Sequence, residues 1–313
     1  MRISLRFACI ALVFFCAAVC GAEPSQKQKR QKPLSEPIEL SVFKKAYPDV
    51  HFSASYDKEK KDFLITVSKK NSDGSRGKKT ELYWCEGRFL PESELENKAG
   101  YRRMLYHYEW EVPDPRSFTA EEIDGIKGFT SSENRRNGAI DPPFLYNAIY
   151  ECDDRISTEQ RIIKMDFLTK SVNVHERIAE PLRRVSERVM ALERDDEMQT
   201  FFSTLVRTDG YAWRSVRDTK SRSFHSLGLA IDVLPRGYYQ KVIYWGWQKQ
   251  LDPENWYLTP LSKRWMPPQR VIDIFADEGF IWGGTWIVWD NMHFEYHPEL
   301  LVYKEYLEKT LQE

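Results

Sequence analysis

The sequence lacks an excess of charge of either sign, since 46 lysines and arginines stand against 47 aspartates and glutamates. No basic field extends over the surface, and we therefore expect no nucleic-acid partner. An internal repeat with a period of about 20–50 residues is also lacking. What is present is a hydrophobic fraction of 42% over 313 residues. That is enough to build one large domain or two smaller ones around a proper core.

The N-terminal apolar run, residues 7–19, is too short to span a bilayer comfortably. It follows two arginines and ends in Cys20, Gly21 and Ala22, an order typical of a secretory signal peptide. The sequence therefore predicts a signal peptide over residues 1–22 and an exported chain that is periplasmic or extracellular. A lipid on Cys20 that anchors the chain to the membrane is the alternative. The mature chain is expected to have no membrane-spanning segment.

Cysteine is scarce, and three of the five residues, Cys9, Cys16 and Cys20, lie within the predicted signal peptide. Cys85 and Cys152 remain in the mature chain. An even pair in an oxidising compartment predicts a disulfide. Two unpaired buried thiols are the alternative.

Two regions follow the predicted signal peptide. Residues 23–37 are rich in Lys, Gln, Ser and Pro without apolar periodicity, and they are expected to form a flexible tether. Residues 38–154 contain segments with strand-like alternation, so the sequence predicts a β-rich region of unknown role, with short helical pieces towards its end. Its expected strands are a hairpin over 51–67 with a turn at 57–62, and further strands at 80–84 and 101–110.

The C-terminal region, residues 155–313, carries helical patterns. Pro181 is expected to be the first residue of a helix whose apolar residues recur at three- and four-residue spacing and face the core. A second helix is expected at residues 198–205. A third should begin at Pro268 and stop at Gly279, because proline favours the first turn of a helix and glycine its end.

A first candidate metal-binding segment spans residues 223–233. In it, large apolar residues alternate with small ones that lead to Asp232. Small side chains before a carboxylate indicate that something must approach this face of the strand closely. His225 precedes the strand, and Gly228 allows the turn that would bring imidazole and carboxylate to one point.

A second candidate segment, residues 279–295, ends in His293 and Glu295, which share one face of an extended strand. Asp290 lies three residues before His293 and reaches the same side only if the chain bends between the two. Two histidines and one carboxylate, with a fourth position left for water, describe a catalytic rather than a structural zinc site.

The pattern Ser-x-His-x-x-Gly-x-Ala-x-Asp from Ser223, followed by Asp-x-x-His-Phe-Glu from Asp290, resembles the zinc D-Ala-D-Ala carboxypeptidase and L-alanyl-D-glutamate endopeptidase family. That family includes vancomycin-resistance dipeptidases and phage endolysins, and the resemblance covers about residues 208–298. It implies Zn2+ as cofactor and Asp290 as general base, or else as a residue that orients a ligand. The zinc ligands implied are His225, Asp232 and His293. The fold implied is a small α+β domain with an antiparallel sheet and flanking helices, over residues 155–313.

Further residues gain roles by the same resemblance. Arg214 matches an arginine that lies near the scissile carbonyl and would stabilise the oxyanion, and Arg217 is the competing candidate. Ser223 resembles a serine that contacts the substrate. Glu295 is expected to orient a zinc ligand, with the role of base as the alternative. The other histidines, His297 among them, are expected to be surface groups or hydrogen-bonded core residues.

The expected function is that of a zinc metallopeptidase acting on peptidoglycan stem peptides or muropeptides. Zn2+ would lower the pKa of a bound water from near 16 to about 7, and Asp290 would take its proton. The segment from Asp290 to Phe294 is closer to the endolysin-type enzymes, so an L-alanyl-D-glutamate endopeptidase is favoured over a D-alanyl-D-alanine carboxypeptidase. Two alternatives belong to another functional class. One is a non-catalytic zinc-containing module that binds the wall, and the other is a partner-binding role for the N-terminal region.

Overall fold

The computed structural model of the chain describes residues 35–70 and 76–310. The predicted signal peptide at 1–22, the lipid-anchor candidate Cys20 and most of the predicted tether at 23–37 lie outside the described residues. Within residues 35–70 and 76–310, no helix combines the length and the apolar character needed to cross a membrane.

Short strands and helices follow one another irregularly along the described chain. The strands are β1 Val50–Asp57, β2 Asp62–Lys70, β3 Arg76–Tyr83, β4 Ile162–Phe167, β5 Lys170–His175, β6 Leu205–Asp209, β7 Ala230–Pro235, β8 Phe280–Trp282 and β9 His293–Tyr296. The α-helices are α1 Ile38–Ala46, α2 Ala120–Phe129, α3 Ser132–Asn137, α4 Phe144–Tyr150, α5 Arg155–Glu159, α6 Glu176–Met190, α7 Asp196–Thr204, α8 Trp245–Leu251, α9 Gln269–Asp277 and α10 Pro298–Thr310.

The strands form three antiparallel sheets, with strand orders β1-β2-β3, β4-β5 and β6-β7-β9-β8. Helices flank these sheets and do not alternate with parallel strands. The α+β class predicted from the sequence is therefore confirmed.

The N-terminal sheet contains the hairpin predicted at residues 51–67, which is confirmed as β1 and β2. Asp57 stabilises its turn, because Oδ1 accepts hydrogen bonds from the backbone amides of Glu59 (2.8 Å) and Lys60 (3.1 Å). The strand predicted at 80–84 lies almost entirely within β3.

The strand predicted at residues 101–110 is wrong. In the structure this segment makes one isolated bridge, from Tyr101 to Ile140, and otherwise runs as a loop. Tyr108 and Trp110 pack against the hydrophobic core, whereas Tyr106 is exposed. The buried Tyr108 hydroxyl donates to the Trp282 carbonyl (3.1 Å) and accepts from the Trp282 amide (2.9 Å). Tyr108 thus binds the end of β8, and the alternation of aromatic residues alone does not distinguish such a loop from a paired strand.

The helix predicted to begin at Pro181 begins instead at Glu176, as α6. His175 caps it, because Nδ1 accepts a hydrogen bond from the Arg177 amide (3.0 Å). Pro181 lies inside the helix, where its missing N–H leaves the Arg177 carbonyl without its helical partner. The core-facing pattern is confirmed, since the buried residues of α6 include Ile178, Leu182, Val185 and Val189.

The other two predicted helices, at 198–205 and from Pro268, are confirmed as α7 and α9. α9 ends just before Gly279, whose φ of +96° lies in the region that favours glycine. The reversal at Gly279 directs the chain into β8, next to the strand that carries His293.

The predicted disulfide between Cys85 and Cys152 is wrong, because both residues are free and buried. Cys85 lies in the turn after β3, whereas Cys152 follows α4 and donates through Sγ to the Tyr150 carbonyl (3.3 Å). An even cysteine count carries no information about the short Cα separation that a disulfide requires. The alternative of two buried thiols is the one observed.

The N-terminal region, which contains α1–α4 as well as β1–β3 and is mixed rather than β-rich, shares one hydrophobic core with the C-terminal region. Residues from Glu36 onward form a single compact unit, in which α1 packs on α10 and α4 packs on β2 and β3. The sequence-based boundary between residues 154 and 155 stays a prediction.

Candidate metal centre

His225 lies on a 3-10 turn, Phe224–Leu227, that leads into β7. Ser223 caps this turn, because its Oγ accepts a hydrogen bond from the His225 amide (3.3 Å). Gly228 ends it at φ +70°, and a Cβ there would lie 2.6 Å from the His175 amide nitrogen. Only glycine fits this position, which turns the chain so that His225 and the side chains of β7 converge. The strand starts at Ala230, later than the alternation from residue 227 indicates.

Three candidate ligand atoms converge where β7 and β9 run side by side. Asp232 pairs directly with His293 across the two strands. Asp232 Oδ1 lies 2.8 Å from His293 Nδ1, and His225 Nε2 lies 3.2 Å from each of these atoms. The residues are only 2% (His225) and 7% (Asp232 and His293) exposed. The structure therefore brings together all three predicted zinc ligands.

The other nitrogen of each imidazole is bound by the protein. His225 Nδ1 donates to the Gly210 carbonyl (2.6 Å), and His293 Nε2 donates to Glu295 Oε1 (2.8 Å). Such partners fix the orientation of histidine ligands in metal sites. They leave His225 Nε2 and His293 Nδ1 as the nitrogens directed at Asp232.

The three atoms fit a zinc ion. Nitrogen and oxygen ligands at about 2.0–2.2 Å from zinc in tetrahedral geometry lie roughly 3.3–3.6 Å from one another. The observed triangle, with sides of 2.8 and 3.2 Å, is close to one face of such a tetrahedron. It borders a groove of about 400 Å³ that is also lined by Asn173, Tyr211 and Arg214. A substrate or water can therefore approach the triangle from this groove.

The charges at the triangle are strongly coupled. Burial opposes ionisation of Asp232, but His225 and His293 outweigh it and hold the pKa of this carboxyl well below its ordinary value. Burial likewise opposes protonation of His293, yet Asp232 and Glu295 raise its pKa well above the ordinary value. A metal that binds through His293 Nδ1 must therefore displace a proton.

Asp290 lies at the bend that precedes β9. The bend brings the Asp290 carbonyl to the His293 amide (3.2 Å), and Asn291 fixes it by donating to the Trp265 carbonyl (2.6 Å). The Asp290 Oδ1 is buried and has no hydrogen-bond partner in residues 35–70 and 76–310. Burial raises the pKa of Asp290 to about 7, against the opposing charge of His293. A carboxyl that titrates near neutral pH is suited to accept and return a proton.

Arg214 and Ser223 are joined by a backbone hydrogen bond, in which the Ser223 amide donates to the Arg214 carbonyl (3.2 Å). The Arg214 side chain is exposed and lines the groove beside His225 and Asp232. Its charge also lowers the pKa of Asp290. Ser223 is buried, and its hydroxyl caps the 3-10 turn. The structure thus brings Arg214, but not the Ser223 hydroxyl, to the groove.

Behind His293 lies a buried chain of polar groups, in which His297 is one of the hydrogen-bonded core residues that the sequence offered as an alternative to a surface group, whereas the link to Glu299 was not predicted. Glu295 Oε2 accepts from His297 Nε2 (3.1 Å), and His297 Nδ1 donates to Glu299 Oε1 (2.7 Å). Glu299 also accepts from the hydroxyls of Tyr47 (2.5 Å) and Tyr146 (2.7 Å). A signal for it was present, because His293, Glu295, His297 and Glu299 alternate with the period of a strand.

Comparison with known families addresses the segment that carries the site. Residues 216–296 match a family model described as D-alanyl-D-alanine carboxypeptidase. That segment is less than a third of the chain and contains the three candidate ligands as well as Asp290 and Glu295. The match supports the zinc peptidase family as a whole and does not distinguish its subfamilies. Arg214 lies just outside it. Residues 39–106 match a domain of unknown function. No curated protein and no solved structure matches the chain.

Proposed function

We propose that this protein is a zinc peptidase that hydrolyses peptide bonds in peptidoglycan stem peptides. The observation that carries the proposal is the buried, unpartnered Oδ1 of Asp290 beside the triangle of His225, Asp232 and His293. A buried carboxylate oxygen without a hydrogen bond is costly, and it is retained where it serves chemistry. The match of residues 216–296 to a peptidase family supports the same class of reaction.

Each residue has a defined part in this reaction. Zinc held by the three ligands would polarise the peptide carbonyl and lower the pKa of a bound water to about 7. Asp290 accepts the proton of the attacking water and returns it to the leaving amine. Arg214 provides positive charge, at the rim of the groove, for the carbonyl oxygen that becomes negative. Glu295 holds the ring of His293 in place through Nε2.

For the bond that is cut, we favour the one between L-alanine and D-glutamate. An internal bond requires space for peptide on both sides of the metal. Besides the groove at Arg214, a cavity of about 720 Å³ reaches Glu295 and is lined by Met104, Leu105 and Trp286. A D-alanyl-D-alanine carboxypeptidase is the second candidate, which the description of the matched family favours. Export through the predicted signal peptide would deliver the enzyme to the wall, which N-terminal sequencing of the mature chain checks.

Digestion of a defined muropeptide that carries a pentapeptide stem tests the proposal, with products identified by mass spectrometry. An endopeptidase releases a fragment that starts at D-glutamate, whereas release of D-alanine alone shows the carboxypeptidase. The His225→Ala, His293→Ala double variant should hold no zinc and release nothing. Binding of the muropeptide by zinc-loaded protein without any product would identify a non-catalytic wall-binding module instead.

A further inference from the structure

A basic cavity of about 770 Å³ is lined in part by Tyr244, whose backbone forms an isolated bridge with Asp290. One wall is formed by α3 and the preceding turn, and the other by α8 and the loop at 217–220. Its lining contains one carboxylate, Asp218, and five cationic side chains. The cations are Arg135, Arg136, Arg217, Lys220 and Lys249.

Most of this positive charge is not compensated by the protein. Within the described residues, only Arg217 among the five cations has a carboxylate within 4.0 Å, with Nε 3.7 Å from Asp218. Arg135 and Lys249 are instead held by neutral acceptors. Arg135 donates to the Arg217 carbonyl, and Lys249 Nζ donates to the Thr130 carbonyl (2.7 Å). The cavity therefore keeps a positive potential that an anionic ligand can neutralise.

Two of these cations, Arg135 and Lys249, lie over one aromatic ring. The Arg135 guanidinium lies 5.3 Å and Lys249 Nζ lies 5.9 Å from the centre of the Trp245 ring, which is buried. Cation–π contacts and backbone acceptors together fix both groups before any ligand arrives. Preorganised cations with free N–H donors are the usual receptor for a carboxylate.

The cavity is coupled to the candidate catalytic residues through the backbone. Tyr244 lines it and forms an antiparallel bridge with Asp290, and the Trp245 amide donates to the Trp289 carbonyl (3.0 Å). The charges of Asp290 and Arg135 both act on the Tyr244 hydroxyl. The cavity and Asp290 are therefore neighbours across Tyr244. Arg135 lies outside the segment that matches the peptidase family.

We propose that this basic cavity binds a free carboxylate of the peptide substrate and makes the enzyme prefer that substrate over the same peptide with a carboxamide. The proposal rests on the proposed peptidase function. Under this proposal α3, which lies outside the segment that matches the peptidase family, takes a direct part in substrate selection. A carboxylate fits the site because two arginines can each bind it with parallel N–H donors, while lysines add charge without fixed geometry.

The test compares two muropeptides that differ only in one carboxylate, free or amidated. The wild-type enzyme should cleave the free form with the lower KM. The Arg135→Gln, Lys249→Gln variant should raise the KM for the free form about tenfold or more, since charge-assisted hydrogen bonds are lost, and leave its kcat and the amidated form nearly unchanged. The Arg116→Gln, Lys78→Gln variant is the charge-matched control, because both side chains are exposed and lie elsewhere. An unchanged preference in the cavity variant overturns the proposal.

A second variant guards against misfolding. Arg136 and Lys220 are exposed and make no ion pair with described residues, so Arg136→Gln, Lys220→Gln should fold normally and should lower the preference for the free carboxylate in the same direction. No change in that folded variant, together with none in a folded Arg135→Gln, Lys249→Gln variant, contradicts the assignment.

Calorimetric binding to protein stripped of metal separates this proposal from the proposed function. If neither muropeptide is cleaved, but the free form still binds more tightly and the cavity variant loses that difference, the cavity assignment stands and the peptidase function fails. If cleavage proceeds and the cavity variant keeps the preference, the cavity assignment fails alone. Inorganic phosphate that binds the cavity more tightly than the free muropeptide would overturn the carboxylate in favour of a phosphorylated ligand.

Discussion

At the scale of single residues, the candidate site contains polar groups that are hydrogen-bonded within the described part of the protein and a polar group that is not. His225 and His293 each have one nitrogen bound by Gly210 or Glu295 and the other directed at Asp232. Asp290 differs, because a buried oxygen has no partner among the described residues. The first pattern predicts ligands and the second predicts a residue that acts on a proton.

Asp290→Asn tests this distinction. The substitution keeps the shape of the side chain and removes the base, so zinc should stay bound at about one ion per chain while turnover on a muropeptide falls by about 10²–10⁴. Metal analysis and initial rates on the same preparation measure both quantities. Unchanged turnover would move the base elsewhere, and Glu295 would then be the first residue to test.

The affinity for zinc should rise with pH. Asp232 and Glu295 hold the pKa of His293 well above its ordinary value, so at neutral pH a proton occupies the nitrogen that zinc needs. Raising the pH removes that competitor, and the apparent affinity should increase by up to about tenfold per pH unit below the pKa. Competition with a chromophoric chelator between about pH 6 and 8 measures it. A constant affinity over this range would show that no proton competes with zinc for His293 Nδ1 at neutral pH.

The sequence predicts those parts of the site whose residues lie close together along the chain. His225, Asp232, His293 and Asp290 stand in two short segments with readable spacing, so their convergence needed only one strand pairing. Arg135 and Lys249 were not predicted, because they are far apart in sequence and meet only across the cavity. The role of the Ser223 hydroxyl as a cap is equally invisible without the 3-10 turn that it stabilises.

At the scale of elements, hydrophobic periodicity and the residues typical of turns and helix ends predicted an element correctly where the element is stabilised by residues close in sequence. The β1–β2 hairpin and α9 have their own turn and end residues, and both were predicted. The loop at 101–110 is held by a tertiary contact of Tyr108, and the start of α6 depends on the His175 cap, whose ring is also hydrogen-bonded through Nε2 to the distant Tyr150 carbonyl (2.9 Å). Local patterns therefore misplaced both.

The junction of β9 and α10 provides a test at this scale. Glu299 is fully buried at the start of α10, and it raises the pKa of His297 to about 9 against the effect of burial. Glu299→Gln removes the carboxylate and leaves a buried imidazolium with one anionic partner fewer, which should lower the free energy of unfolding by about 3–5 kcal/mol. Denaturant titration at pH 7 measures it.

Glu305→Gln is the matched control on the same helix. Glu305 is exposed and pairs with Lys45 at 2.6 Å, so its loss should cost about 0–1 kcal/mol. Equal effects of the two substitutions would show that the buried chain of polar groups contributes nothing special to stability.

At the scale of the whole molecule, the two regions that differ in sequence character are packed together. Tyr47, Leu40 and Phe43 of the N-terminal region are fully or almost fully buried, and the Tyr47 hydroxyl donates to Glu299 (2.5 Å). These contacts join residues more than 250 positions apart. Composition and periodicity describe neighbours along the chain, so they predicted a β-rich region followed by a peptidase region without showing that one covers the other.

The N-terminal region should therefore be required for the fold of the candidate metal centre. Removing residues 23–106 strips the contacts of α1 from α10 and leaves Glu299 without the Tyr47 donor, so a chain that begins at residue 107 should neither unfold cooperatively nor hold zinc. The mature chain should show one transition, at the same midpoint by circular dichroism and by tryptophan fluorescence. A chain that begins at residue 35 is the control and should keep that midpoint, because α1 is intact. If residues 107–313 alone melt cooperatively at the midpoint of the mature chain and retain one zinc, the two regions are independent and the shared core does not stabilise the site.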